Sequence, residues 1–522
     1  MGVALAVVLL VTACGSSNTG GGGSSSSTGG GTTSKTLTVA MGINPDTLDP
    51  QAQTTTTVQQ IVRMMVETLV TIDHQGKVQP LLATSWQSSS DGLTYTFTLR
   101  KGVKFQDGEP FNAQAVKFSL DRINDPVVYK AQPGVLTVIK DTVVLNDDQV
   151  KIDLKSTFPA FLSALSQATA GIIAPKSVDK APNTPSKIQD PVGTGPYTYK
   201  EFLQDDHVTM TRFDGYWGEK PAYQTQTYKV VPEEASRESL IKAGQADVAI
   251  GFPANDLPAL KADSSVKVIL GQSDRTVYMA INTVDKKQPL LQNPKVREAL
   301  NYAVDKNAIV KNALFGAGQV STAPMSPALF GYCQTGPYPY DPAKAKQLLQ
   351  QAGAEGMTIR MMAPQGRYIN DYTVGQVIAG DLRKVGLNVT LANPMDWPSY
   401  LAYADEVGPT TDNVDVHMIG WAPSYLDATQ QSSIMMPPLP PPGSDSSYYD
   451  GPKVTSLLKK ANTEIDATQR KQDYCTAEKQ FWSDAPWIFL YQQKDPILTT
   501  NHVTNVNDLP NEMAVTTWVK PA

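Results

Sequence analysis

"DGLTYTFTLRKGVKFQDGEPF", residues 91–111, is the most sharply patterned stretch of the chain. Leu93, Tyr95, Phe97 and Leu99 alternate with Thr94, Thr96, Thr98 and Arg100. That period of two lays one face of a strand on a core and leaves the other outside. Asp91-Gly92 and Asp107-Gly108 supply turns at its ends. Asn112 then caps a helix whose apolar stripe is Val116, Leu120 and Ile123. Residues 141–154 read as two further short strands around the turn Asn146-Asp147-Asp148. A small sheet with a helix packed on it is therefore expected here.

Strands and helices alternate on both sides of this unit. Thr36 to Met41 reads as an opening strand, and residues 58–69 read as a helix with Ile61, Met65 and Leu69 inward. In "VGTGPYTYKEF" (192–202), Gly193 and Gly195 permit tight backbone and Pro196 forbids a helix. Strands follow at 207–213 and 225–231, a helix at 233–243, and strands at "ADVAIGF" and "YMAINT" (278–283). Three helices are well punctuated: 293–304 after Asn-Pro, one from Asp305 to Gly316, and one from Asp341-Pro342 to Gly353. "MTIRMMAP", the helix 372–385 and "LNVTLAN" form a strand–helix–strand unit, which predicts a parallel pair within an α/β domain. Residues 437–449 read as a surface loop, 464–482 as the last helix and "WIFLYQQ" (487–493) as a final strand.

The head of the chain differs from all of this. Val3 to Val11 is an unbroken apolar run of signal-peptide length, too short to span a bilayer. Val11-Thr12-Ala13-Cys14 follows: small residues before a cysteine, as in a bacterial lipobox whose sulfur takes a diacylglycerol thioether. No Lys or Arg precedes the apolar run, a departure from the usual signal. Residues 15–34 hold only Gly, Ser, Thr and Asn, a flexible coil of roughly 25 Å reach. The expectation is a globular protein tethered by lipid outside the cell membrane. Cys333 and Cys475 are the remaining cysteines, and in an oxidising compartment such a pair is expected to form a disulfide. Net charge is −6 with no basic run, which argues against nucleic acid as a partner.

Taken together, "LATSW…SDGLTYTFTLRKGVKFQDGEPFNAQAVKFSLDR", "VGTGPY", "FDGYWGEKPAY", "NPKVREALNYAVDKNAIV", "YDPAKAKQLLQQAG" and "DAPWIFLYQQ" resemble the family 5 extracellular solute-binding proteins. These are the oligopeptide, dipeptide and nickel receptors of ATP-binding-cassette importers. The resemblance implies a periplasmic-binding-protein-like α/β fold of class II type: two lobes joined by a hinge, with a third domain inserted. Its implied division is signal peptide and lipobox 1–14, linker 15–35, lobe I 36–71, 193–281 and 488–522, inserted domain 72–192, and lobe II 282–487. A monomer, a small-molecule ligand between the lobes and a membrane permease as partner are implied with it.

No catalytic signature competes with that reading. G-x-S-x-G, H-E-x-x-H and C-x-x-C are all absent, and Pro196 spoils Gly193-Thr194-Gly195 as a dinucleotide loop. His74, His207, His417 and His502 are too scattered for a metal-site spacing, so neither a metal nor another cofactor is expected. A surface hydrolase is the rival reading; turnover of a peptide would reveal it.

For binding, the resemblance points to "HMIGWAPSYLDAT" (417–429) as cleft lining, with Gly420, Trp421, Ser424, Tyr425 and Asp427 within it. Trp397 would sit at the lobe's edge, and Ile43, Asn44, Asn282 and Tyr491 complete the expected site. Flat aromatic faces accept varied side chains or sugar rings; core packing is the alternative for each tryptophan. One departure matters. Peptide receptors of the family carry an aspartate at the position of Ser424, where it pairs with the peptide's α-ammonium. Removing one partner of a buried charge pair costs about 3–5 kcal/mol. Either another acid takes over, with Asp427 nearest, or the ligand is an oligosaccharide, a blocked peptide or another solute without an amine there.

Overall fold

The computed structural model describes residues 35–52, 55–125, 135–178, 188, 190–404, 414–437 and 447–522. The lipobox with Cys14, the apolar run before it and residues 15–34 of the linker lie outside the described residues, as does most of the loop 437–449.

Three sheets organise the chain. A four-stranded antiparallel sheet runs Ala83–Ser88, Thr94–Leu99, Gln149–Leu154, Ile139–Asn146. In Thr94–Leu99 Tyr95, Phe97 and Leu99 are buried, as the alternation predicts, and they pack on the helix Ala113–Ile123. Asn112 caps that helix by accepting from the Ala115 amide at 3.1 Å.

A seven-stranded mixed sheet is centred on Thr36–Met41, which pairs in parallel with Thr225–Val230 and with Val248–Ile250. Its outer strands are Tyr197–Leu203 and His207–Arg212 on one side, Pro496–Thr500 and Val266–Leu270 on the other. A six-stranded sheet runs Gly318–Val320, Trp487–Gln493, Thr276–Ile281, Val416–Trp421, Thr358–Met362, Asn388–Leu391. The expected parallel pair, Thr358–Met362 with Asn388–Leu391, lies at one edge, joined through the helix Asp371–Lys384. Each sheet carries its own apolar core, for example Leu37, Val39 and Tyr228 in one and Met279, Leu300 and Ile378 in the other.

Two expectations shift. Thr276–Ile281 falls in the six-stranded sheet, although the sequence reading placed it in lobe I; Trp487–Gln493, whose residues from 488 on were placed there too, joins it. Both strands are buried throughout, so neither shows the alternation that would declare a face or a partner. The chain therefore crosses between the large sheets at 271–275 and again at 494–495. The helix expected over 58–69 is Thr56–Val62 only. Beyond it the Met64 and Met65 carbonyls accept from the Tyr197 and Gly195 amides, each at 2.9 Å. A Cβ on Gly193 would lie 2.3 Å from the Met65 oxygen, so the glycines of "VGTGPY" are what let the two backbones meet.

Cys333 and Cys475 are joined in a disulfide, their Cα atoms 4.9 Å apart. It ties the segment after Gly318–Val320 to the long helix Ala467–Asp484.

Candidate functional site

A cavity of about 420 Å³ opens between the two large sheets. From the seven-stranded side Ile43, Ile250 and Phe252 reach it; from the six-stranded side come Arg367, Ile369 and the segment 422–424. Asp274, Arg275 and Asp495 border it from the two crossovers. A neighbouring cavity of about 300 Å³ shares Gln60 and Met513 with it and includes Arg63 in its wall.

Of the residues singled out from the sequence, Ile43 and Ser424 line the cavity. Ser424 is engaged locally: its amide donates to Gln430 Oε1 at 2.6 Å. Trp421 ends the strand that leads into 422–424, and its buried indole N–H has no hydrogen-bond partner among the described residues. Gly420 beside it is needed for close approach. Its amide donates to the Tyr368 hydroxyl at 2.7 Å, and a Cβ there would lie 2.7 Å from that ring. Trp397 opens a helix and stacks on Tyr400, with the Arg367 guanidinium 5.2 Å above its ring. Asn44 accepts from the Asp205 amide at 3.1 Å.

Four expected site residues serve the scaffold instead. Asp427 is buried in a bidentate pair with Arg470 and also accepts from the Thr429 amide and hydroxyl. Its charge is already matched by Arg470 and both oxygens are engaged, so it is no substitute for the aspartate missing at 424. Tyr425 turns into the core of the four-stranded unit, edge-on to Phe158 at 6.0 Å. Tyr491 is wholly buried in the six-stranded sheet, opposite Val277 and Val320. Asn282 is buried just past Ile281, and Ile281 pairs with Val416 while Thr276 pairs with Trp421. It thus lies at the far end of the sheet from Trp421, about 17–20 Å away at strand rise.

The sequence reading missed the charged groups at the crossovers. Arg275 grips Glu512 through Nε at 2.8 Å and Nη2 at 2.6 Å, and the Ser273 hydroxyl donates to Glu512 at 3.0 Å. Burial opposes ionisation of Glu512, yet the guanidinium beside it holds its carboxyl below the usual range. Asp495 accepts from Gln493 at 2.7 Å; burial, and then the charge of Glu512, push it up to about 7. Burial and the nearby Asp495 and Glu512 charges raise Asp508 to about 8. No signal in the sequence joins residues 274, 495, 508 and 512; only the return of the chain end to the crossovers does. Arg367 is the exposed guanidinium of the opposite wall and has no carboxylate partner among the described residues. Among the described residues the Arg63 guanidinium donates to the Thr71 hydroxyl at 3.4 Å and the Met513 sulfur at 3.6 Å, and burial lowers it to about 10.

No group of three or more His, Cys, Asp or Glu among the described residues is placed to hold a metal ion. No helix among them is long and apolar enough to cross a membrane.

Two large α/β sheets linked by paired crossovers, with a lined cavity between them, define a two-lobed binding protein of the periplasmic type. The chain belongs to the bacterial extracellular solute-binding proteins, family 5, whose model matches residues 77–438. It is 32% identical over 493 residues to the glutathione-binding protein GsiB of Salmonella choleraesuis strain SC-B67, covering 94% of this chain and 93% of that one. Among solved structures it resembles HbpA2 from Haemophilus parasuis, with a TM-score of 0.80, 25% identity and coverage of 93% and 100%. It also resembles the dipeptide binding protein from Pseudoalteromonas sp. SM9913 in complex with Met-Leu, with a TM-score of 0.74, 25% identity and coverage of 93% and 100%.

Proposed function

We propose that this protein captures a short anionic peptide between its lobes and hands it to the permease of an ATP-binding-cassette importer. The observation that carries this reading is the cavity wall. Arg367, with Arg63 in the wall of the neighbouring cavity, offers a guanidinium that no carboxylate among the described residues pairs with. A cation held half in a cleft without a counter-ion is a ready seat for a ligand carboxylate. Glutathione, which has two carboxylates and one ammonium, is the first peptide to test, and the similarity to the glutathione-binding protein GsiB supports that choice. In this reading the hinge is the pair of crossovers at 271–275 and 494–495, and Trp421 and Trp397 flank the bound solute. A lipid on Cys14 and a flexible linker hold a monomeric receptor at the outer face of the membrane, which fits its family's extracellular setting.

The test is native mass spectrometry and calorimetry of the full chain with glutathione and a panel of dipeptides. Binding of an unaltered peptide, with compaction in small-angle scattering, is expected; cleavage of the peptide, or no binding by any member, overturns the reading. Cys14→Ala should release the protein from cells into the medium; retention would remove the lipid anchor from the account.

A further inference from the structure

Asp274 is the one carboxyl of the crossover cluster left without a partner. Glu512 has Arg275, Ser273 and Asp495; Asp495 has Gln493 and Glu512. Asp274 is 1% exposed, and neither carboxylate oxygen accepts a hydrogen bond from another of the described residues. Its backbone is nevertheless fixed, because its amide donates to the Pro510 carbonyl at 2.7 Å. Buried polar atoms are almost always paired, so an orphaned carboxyl held rigidly at a cavity wall needs an explanation. Protonation does not supply one, since a neutral carboxyl would still own an O–H without an acceptor.

We propose that Asp274 receives the ammonium group of the bound solute. This deepens the reading above and rests on the interlobe cavity being the ligand site. Asp274 borders that cavity. The neighbourhood suits a cation, because the carboxyls of Asp274, Asp495, Asp508 and Glu512 gather where Arg275 is already committed to Glu512, and an arriving positive charge lowers the cost of ionising them. An incoming ammonium supplies both the missing donors and the missing counter-charge, which allows Asp274 to ionise. An organic cation fits better than a metal ion, given that no set of three ligands converges here among the described residues. The location adds a consequence. Asp274 lies on the crossover 271–275, and the Gln493 amide donates across to the Arg275 carbonyl at 3.1 Å, joining it to the second crossover. An amine seated there would sit at the hinge while a carboxylate of the same molecule meets Arg367 of the six-stranded side, which lines the same cavity, so a zwitterion ties the crossover to that lobe.

The experiment uses calorimetry on the full chain with glutathione and with N-acetylglutathione, on wild type, Asp274→Asn and Asp274→Ser, alongside thermal shifts with n-butylammonium chloride against sodium chloride of equal ionic strength. Wild type is expected to lose about a hundredfold in affinity on acetylation. Either variant should bind glutathione as weakly as wild type binds the acetylated form, with little further discrimination. Two variants guard against one that fails to fold. If acetylation costs wild type less than about threefold, or if both folded variants keep the full discrimination, the amine is held elsewhere and the proposal is overturned, while the peptide reading survives. If no peptide binds but n-butylammonium stabilises wild type and neither variant, Asp274 is upheld and the peptide reading falls. If no probe binds at all, both are overturned.

Discussion

Asp427 and Asp274 are both buried aspartates near the end of a strand of the six-stranded sheet, and their surroundings are opposite. Asp427 caps the helix Ala428–Ser433 and clasps Arg470, so both of its carboxylate oxygens are engaged inside the chain. Asp274 spends only its backbone amide on the protein and leaves its buried carboxyl unpaired at the cavity wall. The first arrangement resists removal because Arg470 would be stranded. The second costs the empty protein stability and yields binding only when a cation arrives. A buried charge is thus structural or functional according to whether the fold has already paired it.

Breaking the structural member should have the largest effect. Asp427→Ala leaves Arg470 buried without its counter-charge and should cost about 3–5 kcal/mol in denaturant unfolding. A double replacement, Asp427→Leu with Arg470→Met, should recover much of that; a single variant as stable as wild type would show the pair to be idle. Next comes the disulfide on the same helix as Arg470. Replacing Cys333 and Cys475 by Ser frees a loop spanning 142 residues and should cost roughly 2–5 kcal/mol. Calorimetric melting with and without reductant checks this.

The functional side is probed by affinity rather than stability. Arg367→Ala should weaken glutathione binding roughly ten- to hundredfold, the range for losing a charge-assisted hydrogen bond. Melting of the ligand-free protein should stay unchanged, since no carboxylate of the described chain depends on that guanidinium. A matched fall in stability would make Arg367 structural. The smallest effect concerns pH. Asp495 is raised to about 7 in the folded protein, so between its unfolded value near 4 and that pH the native state holds a proton that the unfolded state has released. That contribution to stability is present at low pH and fades as pH rises towards 7. Asp495→Asn should therefore flatten the decline of melting temperature between about pH 5 and 7.5; an unchanged profile would mean that Asp495 titrates normally.

Much of the architecture could be read from local pattern. The alternation over 93–99 became a strand with one buried face, Asn112 capped the helix behind it, and "MTIRMMAP" with "LNVTLAN" formed the expected parallel pair. Glycines in "VGTGPY" marked a real close approach. The site was less legible. Ile43 and Ser424 reached the cavity, whereas Asp427, Tyr425, Tyr491 and Asn282 were absorbed by pairing or packing.

What the sequence settled by itself was many of the strands, caps and turns, though not strands such as Ala83–Ser88, Val266–Leu270 and Pro496–Thr500, along with family membership spread over most of the chain. These follow from steric and hydrophobic rules acting between near neighbours. Only the tertiary structure decided that Thr276–Ile281 and Trp487–Gln493 lie side by side in the second sheet, that the chain end returns Glu512 to Arg275, and that Asp274 stands alone beside a cavity. Residues 237 positions apart leave no periodic trace of each other, because charge pairing and burial depend on distance in space rather than along the chain.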